Sequence, residues 1–193
     1  MSCLLVDKYR PNSIRQLNIH DSVTTKLQAL ASVEDLPHLL LHGPSGCGKK
    51  TRVTALLKEI FGSGVEKMKL EHRSFKTPTN KVIEIVTMSS NYHIECNPSE
   101  AGNNDRFVIQ EVIKEIASCG NVATGSSNRS FKVVVLTEVD RLSKQAQAGL
   151  RRTMEKYVYN IDLLYIFLHI EEYLLNSFIF LYILYILRIL NVV

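Results

Sequence analysis

The sequence predicts an α/β domain with a doubly wound parallel sheet, on three observations. Short apolar runs alternate along the chain with amphipathic helical patterns, the order that puts helices on both faces of a parallel sheet. One apolar run, His38–His42, feeds directly into the glycine-rich stretch Gly43–Lys49 and then into a helical pattern. Strand, glycine loop, helix is the local order of a phosphate cradle. A second apolar run, Val133–Leu136, ends in Thr137-Glu138, as a central strand does when it delivers polar side chains at its carboxyl end.

The elements follow in order. Asp21 or Ser22 can cap a helix whose apolar residues Val23, Leu27, Leu30 and Ala31 recur at helical spacing, and Pro37 ends that segment. His38–His42 is a buried strand. From Lys49, "KKTRVTALLKEIF" places Val53, Leu56, Leu57 and Ile60 on one helical face. "KVIEIVT" (Lys81–Thr87) and "NYHIEC" (Asn91–Cys96) alternate as strands do. Asp105–Ala117 is an amphipathic helix with Val108, Ile109, Val112, Ile113 and Ile116 inward, and the polar stretch Ser118–Ser130 links it to the Val133–Leu136 strand. Arg141–Tyr157 sets Leu142, Ala146, Leu150, Met154 and Tyr157 along one helical stripe.

After Tyr157 the composition changes. Of the 36 residues in the tail, 27 are Val, Ile, Leu, Phe or Tyr, with no Gly, Pro, Ala, Lys, Thr or Gln among them. The tail has no clean period of two or of 3.6. Its longest uncharged run, Tyr173–Leu187, is 15 residues, short of the roughly 20 that a spanning helix needs. Its Ile, Leu, Tyr, Phe and Asn content is that of translated AT-rich non-coding sequence. The expected organisation is therefore a partial nucleotide-binding domain over 1–157 and an aberrant tail over 158–193, outside the native fold.

The net charge is +4, a mild basic bias compatible with nucleic acid or acidic partners. The tail carries Asp162, Glu171 and Glu172 against Arg188, a net −2, so residues 1–157 carry +6. The four cysteines, Cys3, Cys47, Cys96 and Cys119, are widely spaced without a CxxC pair, which argues against a zinc site and for reduced thiols. Asp7, Lys8 and Arg10 interrupt the N-terminus, so no signal-peptide pattern opens the chain.

The loop "GPSGCGKK" (Gly43, Pro44, Ser45, Gly46, Cys47, Gly48, Lys49, Lys50) carries the chemistry. Its glycines let successive backbone N–H groups turn toward a β-phosphate, beside the positive end of the following helix. Lys49 reaches between the β- and γ-phosphates as a point charge. Lys50 stands where the pattern wants a Ser or Thr hydroxyl on Mg²⁺, and a cation repels that metal. Thr51 has a hydroxyl about 100° further round the helix. The partner half of such a site is an Asp-Glu pair after an apolar strand, the Asp helping to hold metal and the Glu activating water. Here that pair is Thr137-Glu138. Two ligands lost from one ion make a site that holds nucleotide and hydrolyses it poorly, with Glu138 vestigial. No metal ligand set is expected.

"LLVDKYRP" (Leu4–Pro11), "HLLLHGPSGCGKKTR" (His38–Arg52), "LTEVDRL" (Leu136–Leu142) and "LRRTMEKY" (Leu150–Tyr157) occur in order. Together they resemble the AAA+ P-loop subunits of the eukaryotic sliding-clamp loader, replication factor C, over about residues 4–157. The double lysine and the "TEVD" variant are similar to its small-subunit type whose own ATP site is degenerate. The resemblance implies an AAA+ fold and bound ATP with Mg²⁺ weak or absent. It implies a nuclear hetero-pentamer with other clamp-loader subunits, a sliding clamp and primer–template DNA as partners, and no membrane. It places Val6, Tyr9, Arg10 and Pro11 around the adenine. Arg106 matches an arginine facing the DNA backbone, although the second basic position of that pattern falls at Val112. Arg151 and Arg152 match a helix bordering the DNA-facing interior of the ring. Ordinary solvated charge stays open as the alternative for all three arginines.

The departures are specific. Leu5 stands where the family has Trp. The strand after "RRTMEKY", the Ser-Arg-Cys motif whose arginine acts on a neighbour's ATP, the lid and the collar are replaced by the tail or missing. The sequence reads as an accessory, truncated subunit of an ATP-driven clamp loader. Two rivals remain: a stand-alone active AAA+ ATPase, which needs a metal ligand at position 50 or 137, and a membrane-associated nucleotide-binding protein, which rests on the tail.

Overall fold

The computed structural model describes residues 4–33, 36, 38–76, 82–118, 132–157 and 163–168. Among these residues, eleven α-helices and strands are formed: α1 (Leu5–Lys8), α2 (Asp21–Ser32), β1 (Leu39–Leu41), α3 (Lys49–Phe61), β2 (Lys69–Lys76), β3 (Val82–Ser89), β4 (His93–Cys96), α4 (Asp105–Ser118), β5 (Lys132–Leu136), α5 (Lys144–Tyr157) and β6 (Leu163–Leu168). Short 3-10 turns, among them Val139–Arg141, connect them.

Strand β5 shows why the layers form. Its residues Val133, Val134, Val135 and Leu136 are all buried. Because successive side chains point to opposite faces, Val133 and Val135 join α2 and α3 on one side. Val134 and Leu136 join α4 and α5 on the other. The helices meet them with the expected stripes. Val53, Leu56, Leu57 and Ile60 of α3 are buried, as are Val108, Ile109, Val112 and Ile113 of α4 and Leu142, Ala146 and Leu150 at α5. Ile116, Met154 and Tyr157 of those stripes lie outside the described side chains.

The sheet runs β1-β6-β5-β4-β3-β2. β4, β5, β6 and β1 are parallel, but β2 and β3 form an antiparallel hairpin, and β3 is antiparallel to β4. The expected parallel sheet is present in β1-β6-β5-β4, and the antiparallel strands β3 and β2 extend it at one edge. Residues 90–92 alone join β3 to β4, far too few for the crossover a parallel pair requires.

β6 lies inside the segment set apart from the fold by its composition. It pairs in parallel with β5, from Lys132↔Leu163 to Leu136↔Phe167, and with β1, from Leu39↔Ile166 to Leu41↔Leu168. The break at Tyr157 is therefore not the edge of the sheet. An unbroken apolar hexapeptide suits an interior strand of a parallel sheet, and without it β1 and β5 have no partner between them. Helix α2 also differs in detail: His20, in left-handed backbone at φ 59°, is its N-cap, with Asp21 and Ser22 already in the first turn. Val23 is exposed, whereas Leu27 is buried.

Candidate nucleotide site

The site forms at the carboxyl ends of β1 and β5, the place where open α/β sheets bind ligands. Past β1 the backbone turns through Gly43 (φ 145°), Gly46 (φ 81°) and Gly48 (φ 81°). A Cβ at Gly43 would stand 3.1 Å from Cys47 Sγ, and Gly48 is the left-handed N-cap of α3. Neither position suits an L side chain.

Lys49 Nζ donates to the carbonyls of Gly43 (2.7 Å) and Pro44 (2.8 Å), with Cys47 Sγ at 3.6 Å. The loop thus fixes its own ammonium at the mouth of the cradle. Arg52, one turn along α3 and only 8 % exposed, donates Nη1 to Cys47 O (2.8 Å) and Nη2 to Ile19 O (3.0 Å). It ties the loop to the segment before α2. Sequence reasoning missed Arg52, because a basic residue beside a charged helix start carries no sign that it is buried.

Val6, Tyr9, Arg10 and Pro11 come together with Ser45, Gly46, Gly48, Lys49, Lys50, Thr51, Thr137 and Glu138 around one cavity of about 610 Å³. The four N-terminal residues and the loop, distant in sequence, share that wall. Val6 and Tyr9 are 71 % and 72 % exposed, with Lys8 Nζ 5.6 Å from the Tyr9 ring centroid. A cradle of positive-φ glycines, a fixed lysine and an adjoining cavity fit the phosphates and body of a nucleotide.

The position beside the cradle lysine does not suit a divalent cation. Mg²⁺ takes oxygen ligands, and Lys50 supplies an ammonium, 2.5 Å from Glu95 Oε1 on β4. The Thr137 hydroxyl donates to Cys96 O at 3.4 Å. Glu138, in left-handed backbone at φ 52°, accepts from Arg141 Nη1 (3.0 Å), and Ser99 Oγ lies 3.5 Å from the same oxygen. Glu95 and Arg141 were not singled out from sequence; a strand glutamate 45 residues from its lysine leaves no local signal. Among the described residues, no group of three or more His, Cys, Asp or Glu is placed to hold a metal ion.

Arg106, Arg151 and Arg152 lie off the cavity, on the α4–α5 pair. Arg106 packs over Gly149, where a Cβ would stand 3.5 Å from its Cγ; Arg151 and Arg152 are exposed.

Sheet, cradle and lysine define a P-loop domain of the AAA+ class, a nucleotide-binding architecture. Residues 2–173 match the Rad17 P-loop domain family, and the chain belongs to it. Among curated proteins it is 56% identical over 155 residues to replication factor C subunit 3 of Mus musculus, covering 80% of this chain and 43% of that protein. It is 53% identical over 155 residues to the probable replication factor C subunit 3 of Dictyostelium discoideum, covering 80% of this chain and 44% of that one. It is 46% identical over 163 residues to replication factor C subunit 5 of Schizosaccharomyces pombe, covering 84% and 45% respectively. The chain thus spans less than half the length of these relatives. A solved RuvB variant of Thermotoga maritima superposes with a TM-score of 0.52 at 16% identity, over 84% of this chain and 42% of that one. That likeness concerns the fold.

Proposed function

We propose that this chain is the nucleotide-binding part of a clamp-loader subunit that holds ATP and scarcely hydrolyses it. In this reading it works in the nucleus, in a hetero-pentamer with other loader subunits, and contributes to ATP-driven loading of a sliding clamp onto primer–template DNA. The observation that carries the reading is one cavity with an intact phosphate cradle and a dismantled metal side. Lys49 and the loop N–H groups hold the phosphates, and Val6, Tyr9, Arg10 and Pro11 flank the base. Glu138, engaged by Arg141, activates no water. Bound ATP stabilises the domain by linkage, by an amount that grows with ligand concentration over Kd. The relatives' names and the degenerate site favour this over a stand-alone ATPase. No described helix is long and apolar enough to cross a membrane.

Calorimetric titration of the purified chain with ATP tests the reading. The expected result is saturable binding that Lys49→Ala weakens at least tenfold, since a charge-assisted contact contributes about 1.5–3 kcal/mol. Steady-state hydrolysis should stay at background. Robust turnover by the chain alone would sink the reading.

A further inference from the structure

We propose that Lys50, positioned by Glu95, is a built-in cation that takes the place of the divalent metal, so that the pocket selects metal-free nucleotide. The inference rests on the nucleotide-binding reading and adds a preference within it. Lys50 is the first residue after the cradle lysine, and it lines the cavity with Lys49, Thr137 and Glu138. Its ammonium is held 2.5 Å from Glu95 Oε1, and the Glu95 side chain is only 13% exposed against 53% for Lys50. A nearly buried carboxylate reached from another element fixes an otherwise mobile side chain. Glu95 sits on β4 opposite Val135 of β5, so the pair spans from the start of α3 to the strand beside β5.

The chemistry follows from donor counting. An ammonium has three N–H donors; Glu95 takes one, leaving two for phosphate oxygens. Beside it, the Thr137 hydroxyl donates to Cys96 O and one oxygen of Glu138 accepts from Arg141. A nucleotide arriving with Mg²⁺ would bring a divalent charge against Lys50, which supplies an ammonium where the phosphate-loop pattern supplies a hydroxyl ligand. Free ATP, with more negative charge exposed, meets both lysines. Magnesium therefore acts against binding here.

The test is calorimetric titration of the whole chain with ATP, once in EDTA and once in excess Mg²⁺. ATP should bind at least fivefold more tightly in EDTA. Lys50→Met should abolish that ratio, and Lys50→Thr should bring it to one or reverse it, circular dichroism confirming that each variant is folded. Glu95→Gln separates positioning from charge. Losing a nearby negative charge would by itself favour the more anionic free ATP and raise the ratio. If Glu95 acts by holding Lys50, the ratio falls. Tighter binding with Mg²⁺, an unchanged ratio in Lys50→Met, or a raised ratio in Glu95→Gln overturns the proposal and leaves nucleotide binding standing. An absence of binding in both buffers overturns both.

Discussion

Asp105 is 1 % exposed and holds two helix starts at once. Its Oδ2 accepts from Ser143 N (2.6 Å) and its Oδ1 from Ser143 Oγ (2.9 Å) and Arg106 N (2.7 Å). Ser143 Oγ in turn accepts from Ala146 N at 3.1 Å. One carboxylate therefore caps the starts of both α4 and α5, accepting from N–H groups that have no partner within their own helices. Asp105→Ala should cost about 1–3 kcal/mol, since it strands a buried N–H, and the urea midpoint should fall without a change in slope. An unchanged midpoint would reduce the contact to incidental. His38, before β1, is governed by burial, which pushes its pKa down from 6.5 to about 4. The unfolded chain takes up that proton below 6.5 and the folded one does not until about 4. Stability is thus full above 6.5 and falls as pH drops through that window. Burial lowers His93 in the same direction. In melts between pH 7.5 and 4.5, His38→Leu should lose less Tm on acidification than the parent; parallel curves would refute the assignment. The cradle residues were legible because a phosphate loop is local in sequence. Arg52, Glu95 and Asp105 were not, because their roles depend on partners 33, 45 and 38 residues away.

At the scale of elements, helices were easier to read than strands. α3, α4 and α5 announce themselves by stripes of period 3.6, and β5 by an unbroken apolar run. β2, "KLEHRSFK", has charged or polar side chains at most positions, Leu70 is 61 % exposed, and its order comes from pairing with β3 along its whole length. An edge strand needs no buried face, so the hydrophobic pattern passes over it. β6 fails for the opposite reason: an unbroken apolar run has no period, and within an apolar tail it cannot be told from its surroundings. Its place between β1 and β5 makes a strong prediction. Proline at Ile166 would remove a ladder donor inside the sheet, and the cooperative melt should be lost. A chain cut after Tyr157 should behave likewise, whereas one cut after Tyr173, the end of the family match, should melt like the parent. Equal melting of both truncations would remove β6 from the fold and restore the boundary that composition suggests.

Across the whole molecule, the two candidate surfaces lie on different elements. The cavity is walled by the N-terminal segment, the cradle and the end of β5; the arginines ride on α4 and α5, which cover the other sheet face. β5 and the turn Val139–Arg141 run from the cavity to the α4–α5 pair. At a net charge of +4, any DNA contact by this domain depends on the placement of single arginines. Arg106 is the best placed, at the first turn of α4, with its stem packed on Gly149. The position six residues on is the buried Val112, so the second basic position of the family pattern carries no charge here. In an assembled loader that carries this domain, Arg106→Met keeps the stem on Gly149 and removes only the charge. Primed-DNA binding should weaken modestly, and the slope of log affinity against log salt should fall by about one unit. Preference among duplex sequences should not move, because backbone contacts carry no base information. Arg106→Ala should match it in slope and differ only by lost packing. If neither substitution changes affinity or slope, Arg106 is a solvated helix residue whose role ends at Gly149, and the DNA-facing assignment of α4 falls with it.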